Sequence, residues 1–263
     1  MAREPNDNGR VPVVFRVRDG WGDKPVDLPC GKCVGCLQDK ARGWAVRCFH
    51  ESTQHLRNCF VTLTYNEEHC PGRLCKPDLQ RFFKRLRARG VKLRYFACGE
   101  YGGKFGRPHY HALFFGQDFL DGSIQMGVKD GYYTHPLLDE VWGNGFVTIA
   151  PCEPASVFYV TGYTLKNLGQ DDTFHLASKR PYIGHGWLAK YYSDISQNGF
   201  VTIDGRKLPV PRSYLDRPEF ALEFDQLREE RRQHIADMTP QDKWDRRAKM
   251  RAKEINLKAK VAL

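Results

Sequence analysis

Two histidines, His109 and His111, flank a tyrosine in the stretch RPHYHALFF, residues 107–115. The stretch is apolar enough for a β-strand, and alternate residues of a strand share a face. Both imidazoles therefore project to the same side, roughly 6–7 Å apart. Neutral imidazole is the commonest nitrogen ligand of divalent metals, so the pair amounts to half a site. Glu100 ends the preceding apolar stretch, and a hairpin through the glycine-rich YGGKFGR turns its carboxylate back towards the histidines. A Glu–His–His set leaves coordination positions open, as a catalytic metal requires and a closed structural site does not. Two half-buried sheet histidines and an ordinary turn carboxylate would give the same pattern, so other residues must decide.

Tyr159, Tyr163 and Lys166 lie in EPASVFYVTGYTLKNLG (153–169), a helical stretch closed by Gly169. At about 100° per residue the three point the same way, within about 60° of one another. A phenol with a pKa of about 10 is a weak nucleophile at neutral pH. A neighbouring ammonium and a metal-bound phosphate make its attack easier. Core packing of both rings is the plain alternative, although Val157, Val160 and Leu165 supply apolar surface by themselves. Cys30, Cys33 and Cys36 form a CxxCxxC run. That spacing suits a structural zinc, or equally a reduced cluster without metal. A fourth ligand is not obvious: Cys48 lies on an apolar helix face, where a buried thiol is common, and Cys70 and Cys75, flanking a turn, are the alternatives.

These residues need elements to position them. Leu37, Ala41, Trp44, Ala45 and Cys48 keep helical spacing after the cysteine run. CFVTLTY (59–65), VKLRYFACGE (91–100), PHYHALFF (108–115) and GFVTIA (145–150) read as strands, the middle two as a hairpin. KPDLQRFFKRLRARG (76–90) reads as a helix with Pro77 near its start, Gly90 past its end and one apolar stripe of Leu79, Phe82, Phe83 and Leu86. Off that stripe stand Arg81, Lys84, Arg85, Arg87 and Arg89, a solvated face or a phosphate-contacting one. LLDEVW is a short helix, residues 170–215 read as loop-rich, and TPQD (239–242) is a strong helix start. Strands linked by hairpins and mixed with helices predict an α+β fold, a central antiparallel sheet with flanking helices. We expect an irregular arm over 1–29, the main domain over 30–215 and a basic helical tail over 216–263.

Composition bounds the function. The 263 residues carry a formal net charge of +10, with 41% hydrophobic and 13% aromatic residues, so the chain is globular and suited to a polyanionic partner. No apolar run approaches the ~20 residues of a spanning helix, so no membrane partner is expected. The polar start MAREPNDNGR lacks the apolar core of a signal peptide, and nine cysteines are expected reduced, in a cytoplasm. No phosphate-binding G-x-x-x-x-G-K-[ST] loop is present, which argues against a nucleotide-driven motor within this chain.

FVTLTY, then ACGEYG…RPHYHALFF, then YVTGYTLK resemble the three ordered motifs of the HUH endonucleases. With PCGKCVGC, FVTLTYNEEH, LQRFFKRLR and RYFACGEYG, the chain over about 29–169 is similar to the replication initiators of gokushovirus-type single-stranded DNA phages. The resemblance implies a sheet of RNA-recognition-motif type with the histidines mid-sheet and the tyrosine helix beside them. It places Glu100, His109 and His111 on the family's metal ligands, for Mg or Mn, and Tyr159, Tyr163 and Lys166 on its nucleophiles and helix lysine. Gly162 stands where relatives often carry a second basic residue. The implied activity is rolling-circle initiation: nicking of origin DNA, a 5′-phosphotyrosine with a free 3′-OH, then strand transfer, with host helicase and polymerase as partners in the host cytoplasm. A non-catalytic single-strand-binding module, or a relaxase or transposase of the same superfamily, stays open at this point.

Overall fold

The computed structural model describes residues 29–103, 105–126, 131–166 and 172–261, without the side chains of 163–166, 236 and 257–261. The chain divides into two units, Met1–Gly31 and Lys32–Leu263, and every helix and strand below lies in the second. The expected arm over 1–29 lies, apart from Pro29, outside the described residues.

Seven strands form one sheet: β1 Asn58–Tyr65, β2 Arg94–Tyr101, β3 Pro108–Phe115, β4 Ile124–Gln125, β5 Tyr133–Thr134, β6 Gly145–Pro151 and β7 His175–Ala177. Their order is β4-β5-β6-β1-β3-β2-β7, and each pairing is antiparallel. This is the expected α+β architecture, with β3 between β1 and β2 at its middle. The period of two on β3 sorts its residues by face. Tyr110, Ala112 and Phe114 pack with Leu79, Phe82, Phe83 and Leu86 of α2 (Lys76–Ala88) and with Leu138, Val141 and Trp142 of α3 (Pro136–Trp142). Leu113 and Phe115 turn the other way, onto Cys48 of α1 (Val34–Ser52) and Val157 and Val160 of α4 (Pro154–Lys166). His109 and His111 share that second face.

The tyrosine between the histidines has its own purpose. The Tyr110 hydroxyl accepts from the Cys75 amide at 2.9 Å, donates to the Cys75 carbonyl at 3.0 Å and meets the Tyr65 hydroxyl at 2.8 Å. Tyr65 in turn donates to Asp78 at 2.6 Å. The start of α2 is thereby tied to the two central strands. Burial pushes the Tyr110 hydroxyl up to about 12, so it stays a neutral structural group.

Residues 170–215, expected to be loop-rich, are instead largely ordered into elements. They hold β7, α5 (His185–Asn198), a hairpin of β8 (Phe200–Ile203) and β9 (Arg206–Pro209), and α6 (Arg212–Leu215). The helical period of α5 is masked because only Leu188 and Ile195 are buried on it and Tyr191 breaks the helical backbone (φ −121°, ψ 16°). The hairpin turns at Asp204–Gly205, both with positive φ (50° and 71°), a strong local hairpin signal. A second core gathers Val46 of α1, Leu188, Ile195, Val201, Ile203 and Tyr214. Phe224 and Leu227, at the entry to α7 (Asp225–Ala236), complete it. The last helix, α8 (Pro240–Val261), opens on a reciprocal cap: Asp242 donates its amide to the Thr239 hydroxyl at 3.1 Å and accepts from the Thr239 amide at 3.0 Å. Among the described residues no helix is long and apolar enough to cross a membrane.

His50 of α1 lies inside the second core, stacked on Trp187 with ring centroids 3.4 Å apart and with Nδ1 3.1 Å from the Tyr214 hydroxyl. Burial lowers its pKa from 6.5 to about 3. A histidine held neutral in the fold but able to protonate when unfolded contributes stability at higher pH and loses it on acidification. Stability should therefore fall progressively as the pH drops from about 6.5 towards 3. Denaturant midpoints measured across that range should show the slope, and His50→Phe should flatten it.

Candidate metal centre and tyrosine helix

Strand register brings the three candidate ligands together. Glu100 of β2 pairs directly with His109 of β3, and Cys98 with His111. Directly opposed residues share a face, so the carboxylate and both imidazoles face the side that α4 covers. One carboxylate oxygen, Glu100 Oε2, lies 3.3 Å from His109 Nε2 and 3.2 Å from His111 Nε2. The rings stand edge to face, centroids 4.8 Å apart.

The opposite ring nitrogens are held as well. His109 Nδ1 is 3.2 Å from the Arg107 carbonyl, to which it donates, and His111 Nδ1 is 3.0 Å from the Thr62 hydroxyl of β1. The Arg107 carbonyl fixes the His109 tautomer and leaves its Nε2 lone pair aimed inward, while the Thr62 hydroxyl holds the orientation of the His111 ring. One ligand atom from each of Glu100, His109 and His111 falls within 4.8 Å of the others. Two imidazole nitrogens and one carboxylate oxygen could hold a divalent metal ion and would leave coordination positions open. Cys98 is no fourth ligand. Burial, with Glu100 nearby, pushes its thiol up, and it donates to the Val160 carbonyl at 3.5 Å.

Tyr159 of α4 stands over this group. Its ring is 5.5 Å from that of His111 and 6.2 Å from that of Phe60, and it is half exposed. Tyr163 and Lys166 follow at one and nearly two turns along α4. Their side chains lie outside the described residues, as does the expected closing glycine, Gly169. Among the described residues a methyl group at Gly162 would meet nothing within 4 Å, so none of them demands glycine there.

The alternation of β6 carries a residue that the motif reading overlooks. Val147 and Ile149 are buried on one face, while Phe146 on the other is 63% exposed. Phe146 pairs with Thr64, which pairs with His109. An exposed ring therefore lies in the same row as the ligands, roughly 10 Å from His109 across two strand spacings. The signal was a phenylalanine on the polar side of an alternating strand. Gly145 makes the approach possible, since a Cβ there would lie 2.3 Å from the Thr64 carbonyl oxygen.

Cys33 and Cys36 sit at the N-terminus of α1, the first exposed and the second half-buried, with thiols within 4.8 Å of each other. Cys30 is exposed and belongs to the preceding unit. Cys48 is fully buried and its thiol is pushed up by that burial, so it packs the core and is no fourth ligand.

A family described as replication-associated proteins of the ORF2 kind matches residues 58–168, from β1 through the tyrosine helix. The replication-associated protein VP4 of Bdellovibrio phage phiMH2K is 33% identical over 236 residues, covering 80% of this chain and 75% of that protein. The replication-associated protein ORF2 of Spiroplasma virus 4 is 32% identical over 243 residues, covering 81% and 75%. The replication-associated protein ORF4 of Chlamydia phage 1 is 29% identical over 213 residues, covering 72% and 53%. No solved structure matches.

The geometry makes a direct prediction about metal. Purified protein titrated with Mn should show saturable binding by electron paramagnetic resonance or calorimetry. His111→Ala should weaken that binding at least tenfold with the thermal melt retained, since only an inward-facing ligand is lost.

Proposed function

Since this chain belongs to the family of phage replication-associated proteins, we propose that it starts replication by nicking origin DNA through a tyrosine on α4. The observation that carries the reading is the convergence of both Nε2 atoms on one carboxylate oxygen, with a tyrosine ring seated over them. Glu100, His109 and His111 would hold a Mg or Mn ion, which supplies Lewis-acid polarisation of a non-bridging phosphate oxygen. The tyrosine oxygen bonds to phosphorus, the P–O3′ bond breaks, and the 3′ oxygen leaves as a hydroxyl. The products are a 5′-phosphotyrosine and a primer end for a host polymerase. The Lys166 ammonium stabilises the attacking phenolate and keeps it available.

Rolling-circle synthesis needs two strand transfers, and an esterified tyrosine cannot perform the second. Tyr163, with Lys166 one turn on, takes the first, and Tyr159 the second. The exposed ring of Phe146 offers a face for an unstacked base beside the scissile phosphate. In this reading residues 30–215 carry the chemistry, and the stretch 216–263 adds attraction for phosphates. That stretch includes residues 243–260, which hold eight Lys and Arg against two acidic residues. The phosphotyrosine conserves the bond energy, so ligation needs no nucleotide, and unwinding falls to a host helicase. The site of action is the host cytoplasm. We further propose a structural zinc on Cys30, Cys33 and Cys36, on the strength of the CxxCxxC spacing.

Two tests follow. Single-stranded oligonucleotides tiling the cognate genome, incubated with Mg or Mn, should yield one covalent adduct on denaturing gels, abolished by chelator. Tyr163→Phe should lose most of that adduct, and Tyr159→Phe should keep it while releasing few closed circles. Adduct formation by the double variant would leave the protein a binder whose tyrosine helix does no chemistry. For the cysteines, elemental analysis should find about one zinc per chain and Cys33→Ser should lower the melting temperature; active, folded protein free of zinc would refute that site.

A further inference from the structure

Beyond the outer strand β7 lies an open cleft of about 1060 Å³, lined by eight Lys and Arg and no acidic residue. Its walls come from distant parts of the chain. Lys76, Lys84 and Arg87 line it from α2, Lys179 and Arg180 from the segment after β7, and Arg217 from beyond α6. Among the described residues Lys76, Lys84, Lys179 and Arg180 form no ion pair, and Lys84, Lys179 and Arg180 are exposed.

Two further guanidiniums are braced. Arg47, only 8% exposed, lies 4.1 Å from the Trp44 ring centre and donates Nε–H to the Ile183 carbonyl at 3.0 Å. Arg217 lies 3.4 Å from the Tyr182 ring centre and donates to the Ser213 carbonyl at 3.0 Å. Of the eight cations only Arg94 has a carboxylate partner among the described residues, Glu51; gathering the other seven without one is electrostatically costly and builds a seat for anions. His175 on the cleft floor reports the same field. Burial, then Lys40, Arg47 and Lys76, lower its pKa to about 4.

Size and layout select the anion. The volume is at the upper limit of small-molecule pockets. From Lys76 to Arg87 the cations of α2 extend along roughly 16 Å, a line suited to several successive phosphates. The cleft also lies close to the metal centre. His175 pairs with Cys98, which pairs with His111, so its floor is about two strand spacings, roughly 10 Å, from the ligands.

We propose that this cleft binds the phosphodiester backbone of DNA flanking the nick site, a contact surface separate from the metal centre. The identity of the polyanion as DNA rests on the nicking reading above; the cleft itself does not. The test is equilibrium binding by fluorescence anisotropy over a salt series, in chelator so that no cleavage enters. The probes are a labelled single strand and the same sequence as duplex. The variant is Lys84→Ala/Lys179→Ala/Arg180→Ala, all three side chains exposed. Each lost phosphate contact reduces the slope of log K against log salt by about 0.7 on a single strand and about 0.9 on duplex. The variant should therefore flatten the slope by about 2 on the single strand or nearly 3 on the duplex. The probe that responds identifies which form occupies the cleft.

The control, Lys207→Ala/Arg232→Ala/Arg246→Ala, removes the same charge away from the cleft and should change the slope less. Equal changes in both triple variants would overturn the proposal, because net charge alone would then explain binding. Lys84→Gln, a single exposed change, should still flatten the single-strand or duplex slope by about one contact if the triple variant folds poorly. A wild-type protein that binds with the expected slope but forms no adduct would remove the nicking reading and leave the cleft standing. A cleft variant that nicks a minimal oligonucleotide yet shows an unchanged slope would remove the cleft and leave the nicking reading.

Discussion

The pairing of β3 with β1 on one side and β2 on the other is the constraint on which everything else depends. With Thr62 opposite His111 and Glu100 opposite His109, a two-residue period sends Tyr110, Ala112 and Phe114 into the α2 core and both imidazoles to the α4 face. A slip of one residue would exchange the two sets. It would bury two histidines among phenylalanines and break the Tyr110–Cys75–Tyr65–Asp78 hydrogen bonds at once. The same buried contacts that stabilise the sheet therefore hold the ligand geometry, and the site needs no separate scaffold.

α1 has a second organising position, because it is covered on two sides. Cys48 faces the sheet and α4, while Val46 and His50 face the core built by α5 and the hairpin. At its C-terminal end Glu51, 4% exposed, accepts from the Gly184 amide at 2.7 Å, lies 3.0 Å from His55 Nε2 and pairs with Arg94 of β2. A buried carboxylate with three partners is satisfied, where one with none would be costly. The face that bears Glu100, His109 and His111 and the C-terminal core thus share one helix, so displacement of α1 would disturb both.

Local pattern made the centre of the fold legible and left its margins obscure. The His109–Tyr110–His111 alternation, the glycine-rich turn to Glu100 and the stripe on α2 each repeat at the period of their own element, so each can be read within about ten residues. Placement of Tyr159 above the sheet follows from the helix after β6. What escaped is non-local or interrupted. Tyr191 breaks the period of α5, and β7 is too short to show alternation. The Asp204–Gly205 turn was present in the sequence as a hairpin signal, but the flanking strands are only four residues each. Phe146 gains meaning only from its row, and the cations of the β7 cleft come from segments about a hundred residues apart in sequence.

The two ends of the sheet carry a consequence for solubility. A strand edge exposes unpaired amides and carbonyls that can template pairing with another chain. Here the terminal strands are β4, of two residues, and β7, of three. The long strands β1, β2 and β3, with eight residues each, are all interior. β1 and β3 are thus paired along both edges, whereas β7 covers β2 over Phe96–Cys98 and β5 covers β6 at Ile149. The two central strands, β1 and β3, therefore present no free edge at which a second chain could pair.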